Sequence, residues 1–310
     1  MTNNYSGQRP AGWLAFELSV LRRLSFRSVV SPLCAEPDVE AYLKRWGARV
    51  NVNATSRWAA VRAAARVENN GERLTREDLD LLLEDVYVPG HRLRIPSLAR
   101  RFGETHAWWF DNYRANADRL ANDTKRALAL DLGLSVGDYA LSFDDETGEL
   151  RQPLSRVLRR LNETRPAPFD NRQRNAVKHE DARRFLNAES AADLLFLRLP
   201  AARANGNSSL QAWRDEFVDG GPTSPSTSDG APPRWPAAPA ATRQQYLSNL
   251  GELFASAARA RTWAVSHVDD GHIPVEELVE SLRSHRKVET VYTKDFSELT
   301  GARAVMITAG

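Results

Sequence analysis

Apolar and polar positions follow two different periods along the first part of the chain. Residues 13–24 and 39–46 carry apolar side chains at helical spacing, so a helix is predicted over each range. Residues 28–30 and 48–53 predict short strands, the second by alternation, and residues 58–69 predict an alanine-rich helix. Strands and helices in this order predict a parallel sheet covered by helices, and therefore an α/β fold.

The pattern changes between residues 75 and 175, where helical stretches dominate and no strand is predicted. We expect residues 75–175 to form a helical insertion into an α/β domain made of residues 1–74 and 176–310. Residues 220–241 are rich in Pro, Ser and Gly, and this composition predicts a mobile loop. The remaining predicted elements are helices over 76–85, 96–101, 107–134, 181–186, 243–260 and 274–285, and strands over 194–197, 262–267, 288–292 and 304–308.

The composition is that of an ordinary globular protein, since 42% of the 310 residues are hydrophobic, 26% are charged and the net charge is +2. Cys34 is the one cysteine, which excludes an intramolecular disulfide and cysteine-cluster metal sites and fits a reducing cytoplasm. No apolar run approaches the roughly 20 residues of a membrane span, and residues 1–10 lack the apolar core of a signal peptide. We therefore expect a cytoplasmic protein that has no membrane partner.

A local excess of positive charge points to a polyanionic partner. Residues 151–174 contain seven arginines and two acidic residues, a balance of +5 within a nearly neutral chain. Three of these arginines fall on one side of a predicted helix whose other side is leucine-rich, which suits contact with DNA or RNA phosphates as well as a solvated helix face. The arginines expected to bind DNA are Arg151, Arg156, Arg159, Arg160, Arg172 and Arg174.

Two further segments each have a chemical and a structural interpretation. Residues 106–114 interleave aromatic and basic side chains that could stack on bases, but their spacing favours packing within the helical insertion. His179, Glu180 and Asp181 are metal-ligand types, yet adjacent residues on one short segment rarely converge on an ion. The other five histidines are dispersed, so we expect no metal site.

Five segments follow one another in the order of a known set of motifs. Residues 5–9 have the form Tyr-x-Gly-x-basic, and residues 30–36 stand where an acid-Pro-Phe-x-Gly-x-Gly loop is expected. Residues 43–53 match a second strand, residues 193–200 stand at an Asp-Pro-Pro-Tyr motif, and residues 263–278 match a late strand and helix. In number, order and spacing, these segments resemble the Dam-like (class α) adenine-N6 DNA methyltransferases.

The resemblance implies a Rossmann-like methyltransferase sheet with helices on both faces. It also implies that residues 75–175 are an inserted target-recognition subdomain, that DNA is the partner and that S-adenosylmethionine is the cofactor. The cofactor contacts that it places on this chain are Tyr5, Gly7, Pro32 and Asn53.

Several positions depart from the family's cofactor motifs. Ala35 and Pro37 stand where glycines would allow close backbone approach and positive φ angles, which alanine resists and proline cannot adopt. Ser31 replaces an acid. Asn53 replaces the acid that would accept hydrogen bonds from the ribose hydroxyls. Binding of S-adenosylmethionine is therefore in doubt.

The departure at the catalytic motif is larger. Arg198, Leu199, Pro200 and Ala201 replace Asp-Pro-Pro-Tyr, whose acid and neighbouring carbonyl accept hydrogen bonds from the adenine amino group and whose tyrosine stacks on the flipped base. Arginine only donates hydrogen bonds, and alanine cannot stack. No similar motif occurs elsewhere in the chain. We therefore expect no catalytic residue at these four positions.

Three functional hypotheses follow. The first is a methyltransferase-like protein without catalytic activity that acts as a DNA-binding or scaffolding subunit, with possible protein partners in a larger complex. The alternative is an active S-adenosylmethionine-dependent adenine-specific DNA methyltransferase with diverged motifs, which would need another acceptor such as Asn205. A protein-only interaction module is a third possibility.

Overall fold

The fold is that of a computed structural model, which describes residues 12–144, 146–189, 191–200, 208–221, 242–269, 273–300 and 302–310. The chain divides into two compact units. A sheet unit comprises residues 1–55, 171–208 and 230–310, and a helical unit comprises residues 56–170 and 209–229. Within the described residues, no helix is long and apolar enough to cross a membrane.

The strands in the described part of the chain all belong to one sheet of the sheet unit. They are β1 (Ser28–Cys34), β2 (Arg49–Ala54), β3 (Ala176–Lys178), β4 (Leu194–Arg198), β5 (Thr262–Asp269), β6 (Val288–Asp295) and β7 (Arg303–Ala309).

The helices flank this sheet or build the helical unit. They are α1 (Trp13–Leu21), α2 (Asp38–Arg45), α3 (Arg57–Ala63), α4 (Arg76–Leu82), α5 (Ser97–Phe102), α6 (Glu104–Ala117), α7 (Asp123–Ala140), α8 (Leu154–Thr164), α9 (Ala182–Ala188), α10 (Ser208–Asp219), α11 (Arg243–Ser256), α12 (Val275–Arg283) and α13 (Ser297–Thr300). A π-helical segment, Ala64–Glu68, follows α3 directly, and Gly148–Leu150 form a short 3₁₀-helix.

The sheet is mixed but mostly parallel, with the strand order β3-β2-β1-β4-β5-β7-β6. The first five strands in this order pair in parallel. β7 pairs antiparallel to both β5 and β6, so β6 runs in the same direction as the parallel strands. The α/β class expected from the sequence is therefore confirmed.

Chain order reverses between β1 and β4, which lie side by side at the centre of the sheet. In open α/β sheets, ligands bind outside the carboxyl ends of the strands at such a reversal. The carboxyl end of β4 is thus the place where the chemistry of this fold is expected.

The two faces of the sheet bury different side chains. Leu195, Leu197 and Val265 belong to an apolar cluster that α9, α11 and α12 complete. Because side chains alternate along a strand, Arg198 and Ser266 point to the opposite face. α1 and α2, which pack against each other, lie on that face.

The helical unit is held together by an aromatic cluster between α5, α6 and α10. Trp109 stacks on Tyr113 with ring centroids 5.0 Å apart, and Phe102 meets Trp213 edge-on at the same distance. Phe217 packs edge-on against Phe110 of α6. Residues 106–114 therefore pack within the helical unit, as their spacing predicts.

Several boundaries differ from those that the sequence predicts. The helix expected over 107–134 is two helices, because α7 begins at Asp123 after Asn122, whose side chain caps the new helix by accepting from the Lys125 N–H. β3 and α10 were not predicted. The helical unit begins at residue 56 rather than 75 and includes α10. Most of the loop predicted over 220–241 lies outside the described residues.

Candidate functional site at the carboxyl edge of the sheet

Arg198 is the last residue of β4, and its side chain is buried at the carboxyl edge of the sheet. Its guanidinium forms a two-pronged ion pair with Glu17 of α1. Nε donates to Glu17 Oε1 at 2.9 Å and Nη2 donates to Oε2 at 2.6 Å. A third donor, Nη1, binds the carbonyl oxygen of Glu36 at 3.1 Å. The pair therefore occupies the place that the fold usually leaves to a ligand.

Neighbouring groups complete the pair. Glu17 is fully buried, and its Oε1 also accepts from the Ser266 hydroxyl at 2.7 Å. Burial lowers the pKa of Arg198, but hydrogen bonds and charge attraction from Glu17 outweigh it and raise the pKa above its ordinary value. Arg198 thus stays a cation and a hydrogen-bond donor.

A second buried carboxyl lies near this pair, against the middle of β1. Glu40 of α2 accepts from the Ser31 hydroxyl through Oε1 at 2.7 Å, whereas its buried Oε2 has no hydrogen-bond partner among the described residues. Burial raises the pKa of Glu40, against the opposing attraction of Arg198. Cys34 is buried in the same region, and burial raises its thiol pKa as well.

Asn53 and Pro32, two expected cofactor contacts, are buried and bonded to each other. The Asn53 amide nitrogen donates to the Pro32 carbonyl at 3.1 Å and to the Glu180 carbonyl at 3.0 Å. Its oxygen accepts from the Glu180 N–H at 2.9 Å. Asn53 therefore ties the ends of β1 and β2 to the β3–α9 connection. Tyr5 and Gly7, the other two expected contacts, lie outside the described residues.

The residues that follow Arg198 are also engaged in packing. Leu199 is buried, and its N–H donates to the Ser266 carbonyl at 2.9 Å. The Pro200 carbonyl accepts from the Tyr246 hydroxyl at 2.9 Å. Ala201 and Asn205 lie outside the described residues.

The arginines expected to bind DNA are divided between the two units. Arg156 and Arg160 are exposed on α8, and Arg159 pairs with Asp80 at 2.8 Å. Arg151, just before α8, lies over the Phe143 ring. Arg172 and Arg174 belong instead to the sheet unit, in the connection that leads into β3.

Sequence reasoning missed three residues of this site, Glu17, Glu40 and Ser266, of which Glu17 left a signal in the sequence. Glu17 is the one charged residue in α1, a helix of otherwise apolar or small side chains, and it lies on the buried side. A lone acid on a buried helix face needs a partner. This requirement predicts a buried cation elsewhere in the core, and in the structure that cation is Arg198.

Within the described ranges, no group of three His, Cys, Asp or Glu side chains is placed to hold a metal ion. A scan against models of known protein families and a search of curated proteins both found no match to this chain.

Proposed function

We propose that this chain is a methyltransferase-like protein that transfers no methyl group and acts as a DNA-binding or scaffolding subunit. The observation that carries the proposal is the buried Arg198–Glu17 ion pair at the carboxyl end of β4. It stands where an adenine methyltransferase needs a hydrogen-bond acceptor.

The sheet supports the methyltransferase-like part of the proposal. Its strand order begins 3-2-1-4-5 and reverses between β1 and β4, as in Rossmann-like folds. One antiparallel strand, β7, lies between β5 and β6. This arrangement fits the methyltransferase sheet that the sequence resemblance implies.

The chemistry at β4 argues against methyl transfer. Transfer to the adenine amino group requires acceptors for its N–H groups as the nitrogen attacks the methyl carbon. The donors of Arg198 already bind Glu17 and the Glu36 carbonyl, and arginine has no acceptor to offer the amino group. No bonding arrangement of Arg198 makes it an acceptor.

The described residues near β1 do not fit S-adenosylmethionine in the manner that the resemblance implies. The connection from Cys34 to Asp38 has no glycine and no residue with positive φ. The Asn53 amide has its two donors and its acceptor bonded to backbone groups, which leaves little capacity for ribose hydroxyls. We therefore derive no step through this cofactor.

The DNA-binding part rests on α8. Its buried side is Leu154, Val157 and Leu158, and its solvent side carries Arg156 and Arg160, one helical turn apart. Two exposed guanidiniums at this spacing suit contact with successive phosphates.

Methyl transfer is tested by incubating the full chain with radiolabelled S-adenosylmethionine and duplex DNA that contains all adenine contexts. We expect no N6-methyladenine and no cofactor binding in calorimetry. Methylated adenine would overturn the proposal.

DNA binding is tested in a triple variant in which glutamine replaces Arg156, Arg159 and Arg160. We expect this variant to bind DNA more weakly and with a smaller salt dependence. Unchanged affinity would remove α8 from the proposal.

A further inference from the structure

The edge of the sheet at which the parallel strands begin carries a row of cations. Arg27 directly precedes β1, Arg49 opens β2, and Arg174 stands two residues before β3. Arg261 directly precedes β5, and Lys287 directly precedes β6. This edge lies opposite to the carboxyl edge that holds Arg198. Of the six strands that start at this edge, all except β4 thus have a cation at their first residue or within the two residues before it.

The strand register places several of these residues at the starts of neighbouring strands. Arg49 pairs with Ser28 of β1, and its N–H donates to the Arg27 carbonyl at 2.9 Å. Asn51 of β2 pairs with Ala176 of β3. Arg49 lies two residues before Asn51, and Arg174 lies two residues before Ala176. Adjacent strands lie about 4.8 Å apart, so the row from β3 to β5 spans roughly 19 Å.

Acidic residues do not neutralise this row. The acid within it is Asp193, which precedes β4, accepts from the N–H groups of Arg27 and Ser28 and pairs with Arg261 at 3.2 Å. The guanidiniums of Arg27, Arg49 and Arg174 have no carboxylate within ion-pair distance among the described residues. Three cations at the starts of neighbouring strands thus have one acid among them, and such an array attracts a polyanion.

Arginines stacked on aromatic rings adjoin the row at the ends of α1 and α2. The Arg22 guanidinium lies 5.3 Å from the Trp46 ring centroid, and that of Arg45 lies 5.9 Å from the ring of Tyr42, a side chain that is 39% exposed. Rings and guanidinium planes together offer bases or sugars a stacking surface beside the phosphate contacts.

We propose that this basic edge, defined by Arg22, Arg27, Arg45, Arg49, Arg174 and Arg261, binds the sugar–phosphate backbone of nucleic acid. A row of roughly 19 Å is long enough to contact several successive phosphates of one strand. The contact involves neither α8 nor the carboxyl edge of the sheet. It assigns Arg174 to a surface built by the sheet rather than by the helical unit.

The test compares two triple variants of the full chain by fluorescence anisotropy with a labelled duplex of about 20 base pairs over a range of salt concentrations. The basic-edge variant carries Arg27→Gln, Arg49→Gln and Arg174→Gln. The control carries Arg184→Gln, Lys294→Gln and Arg303→Gln, which remove the same charge from exposed positions at or near the carboxyl ends of the strands. A third variant with lysine at residues 27, 49 and 174 retains the charge.

The basic-edge variant is expected to bind at least about tenfold more weakly and to lose about 2–3 from the slope of log K against log salt. The lysine variant is expected to keep most of the affinity and slope, and circular dichroism should show that all variants are folded. An unchanged slope in the basic-edge variant overturns the proposal. An equal loss in the control also overturns it, because net charge alone would then explain binding. So does binding of anionic lipid vesicles by a chain that binds no duplex.

The same titration separates this proposal from the role given to α8. Loss of binding in the basic-edge variant, with full binding by the Arg156, Arg159 and Arg160 variant, upholds the basic edge and rejects α8. The reverse pattern rejects the basic edge.

Discussion

At the scale of single residues, the Arg198–Glu17 pair is important for stability because both partners are almost completely buried. Removing a charge from water is costly, and the attraction between the partners offsets that cost only while both are present. Losing one partner leaves the other charge uncompensated, whereas replacing both with neutral groups removes the cost and the attraction together.

We expect Arg198→Met to lower the free energy of unfolding by about 3–5 kcal/mol, because it leaves the Glu17 carboxylate buried without its arginine. Adding Glu17→Gln should recover most of this loss, since glutamine is neutral and can still accept from the Ser266 hydroxyl. Urea denaturation of both single variants and the double variant measures the coupling. Strictly additive losses would show that the two side chains do not depend on each other.

Glu40 predicts a dependence of stability on pH. Burial raises its pKa, so the folded state binds its proton more tightly than the unfolded state. Stability that rests on this proton is present below the ordinary glutamate pKa of about 4.3 and is lost as pH rises through the raised value. Glu40→Gln should therefore stabilise the protein at neutral pH relative to the natural chain, with a gain that shrinks on acidification. A gain independent of pH between about 4 and 8 would contradict this assignment.

At the scale of elements, α7 depends on glycine for its close packing in the helical unit. A Cβ atom at Gly133 would lie 2.7 Å from the Phe217 ring and 2.8 Å from the Tyr113 ring, and one at Gly137 would overlap Trp213. These rings are buried and have little freedom to move. In contrast, a Cβ atom at Gly251 of α11 would have one neighbour within 4 Å among the described residues, the His285 ring nitrogen at 3.9 Å.

The same substitution should thus have opposite effects in two helices. Gly133→Ala is expected to destabilise by about 1–3 kcal/mol through overpacking, although alanine favours helix. Gly251→Ala is expected to stabilise by up to about 1 kcal/mol, because the helix gains propensity without a clash. Thermal and urea unfolding of the two variants provide the comparison. Stabilisation by Gly133→Ala would mean that α10 packs less closely on α7.

The sequence predicts elements well where periodicity extends over several turns or a full alternation, as in α2, β2 and β5. It fails for β3, which has three residues and therefore no period to detect. It also fails for α10, whose packing role depends on contacts between Trp213 or Phe217 and glycines about 80 residues away. The break between α6 and α7 had a readable signal in Asn122, but the apolar pattern continues past it. Glu17 and Arg198 are 181 positions apart, so only the fold brings them together.

At the scale of the whole molecule, the two edges of one sheet differ in character. The carboxyl edge is closed around buried charges, whereas the edge where the strands begin presents exposed arginines. A net charge of +2 conceals this asymmetry, because acids elsewhere balance the arginines. The sequence indicated a polyanionic partner through residues 151–174, but the basic edge joins arginines from four separate parts of the chain.

Cys34 reports on the opening of the sheet unit as a whole. It is the one cysteine in the chain and is 2% exposed at the end of β1, beside the buried carboxyls. Burial raises its thiol pKa, which further reduces its reactivity. With an opening free energy of about 5 kcal/mol or more, a disulfide reagent should label it at least about 10³-fold more slowly than an unfolded chain. Arg198→Met lowers the free energy of opening, so it should accelerate labelling of Cys34 by about 10²–10³-fold. Adding Glu17→Gln to this variant should slow the labelling again. Labelling of the natural chain at the rate of a free thiol would contradict the closed carboxyl edge on which the proposed loss of methyl transfer depends.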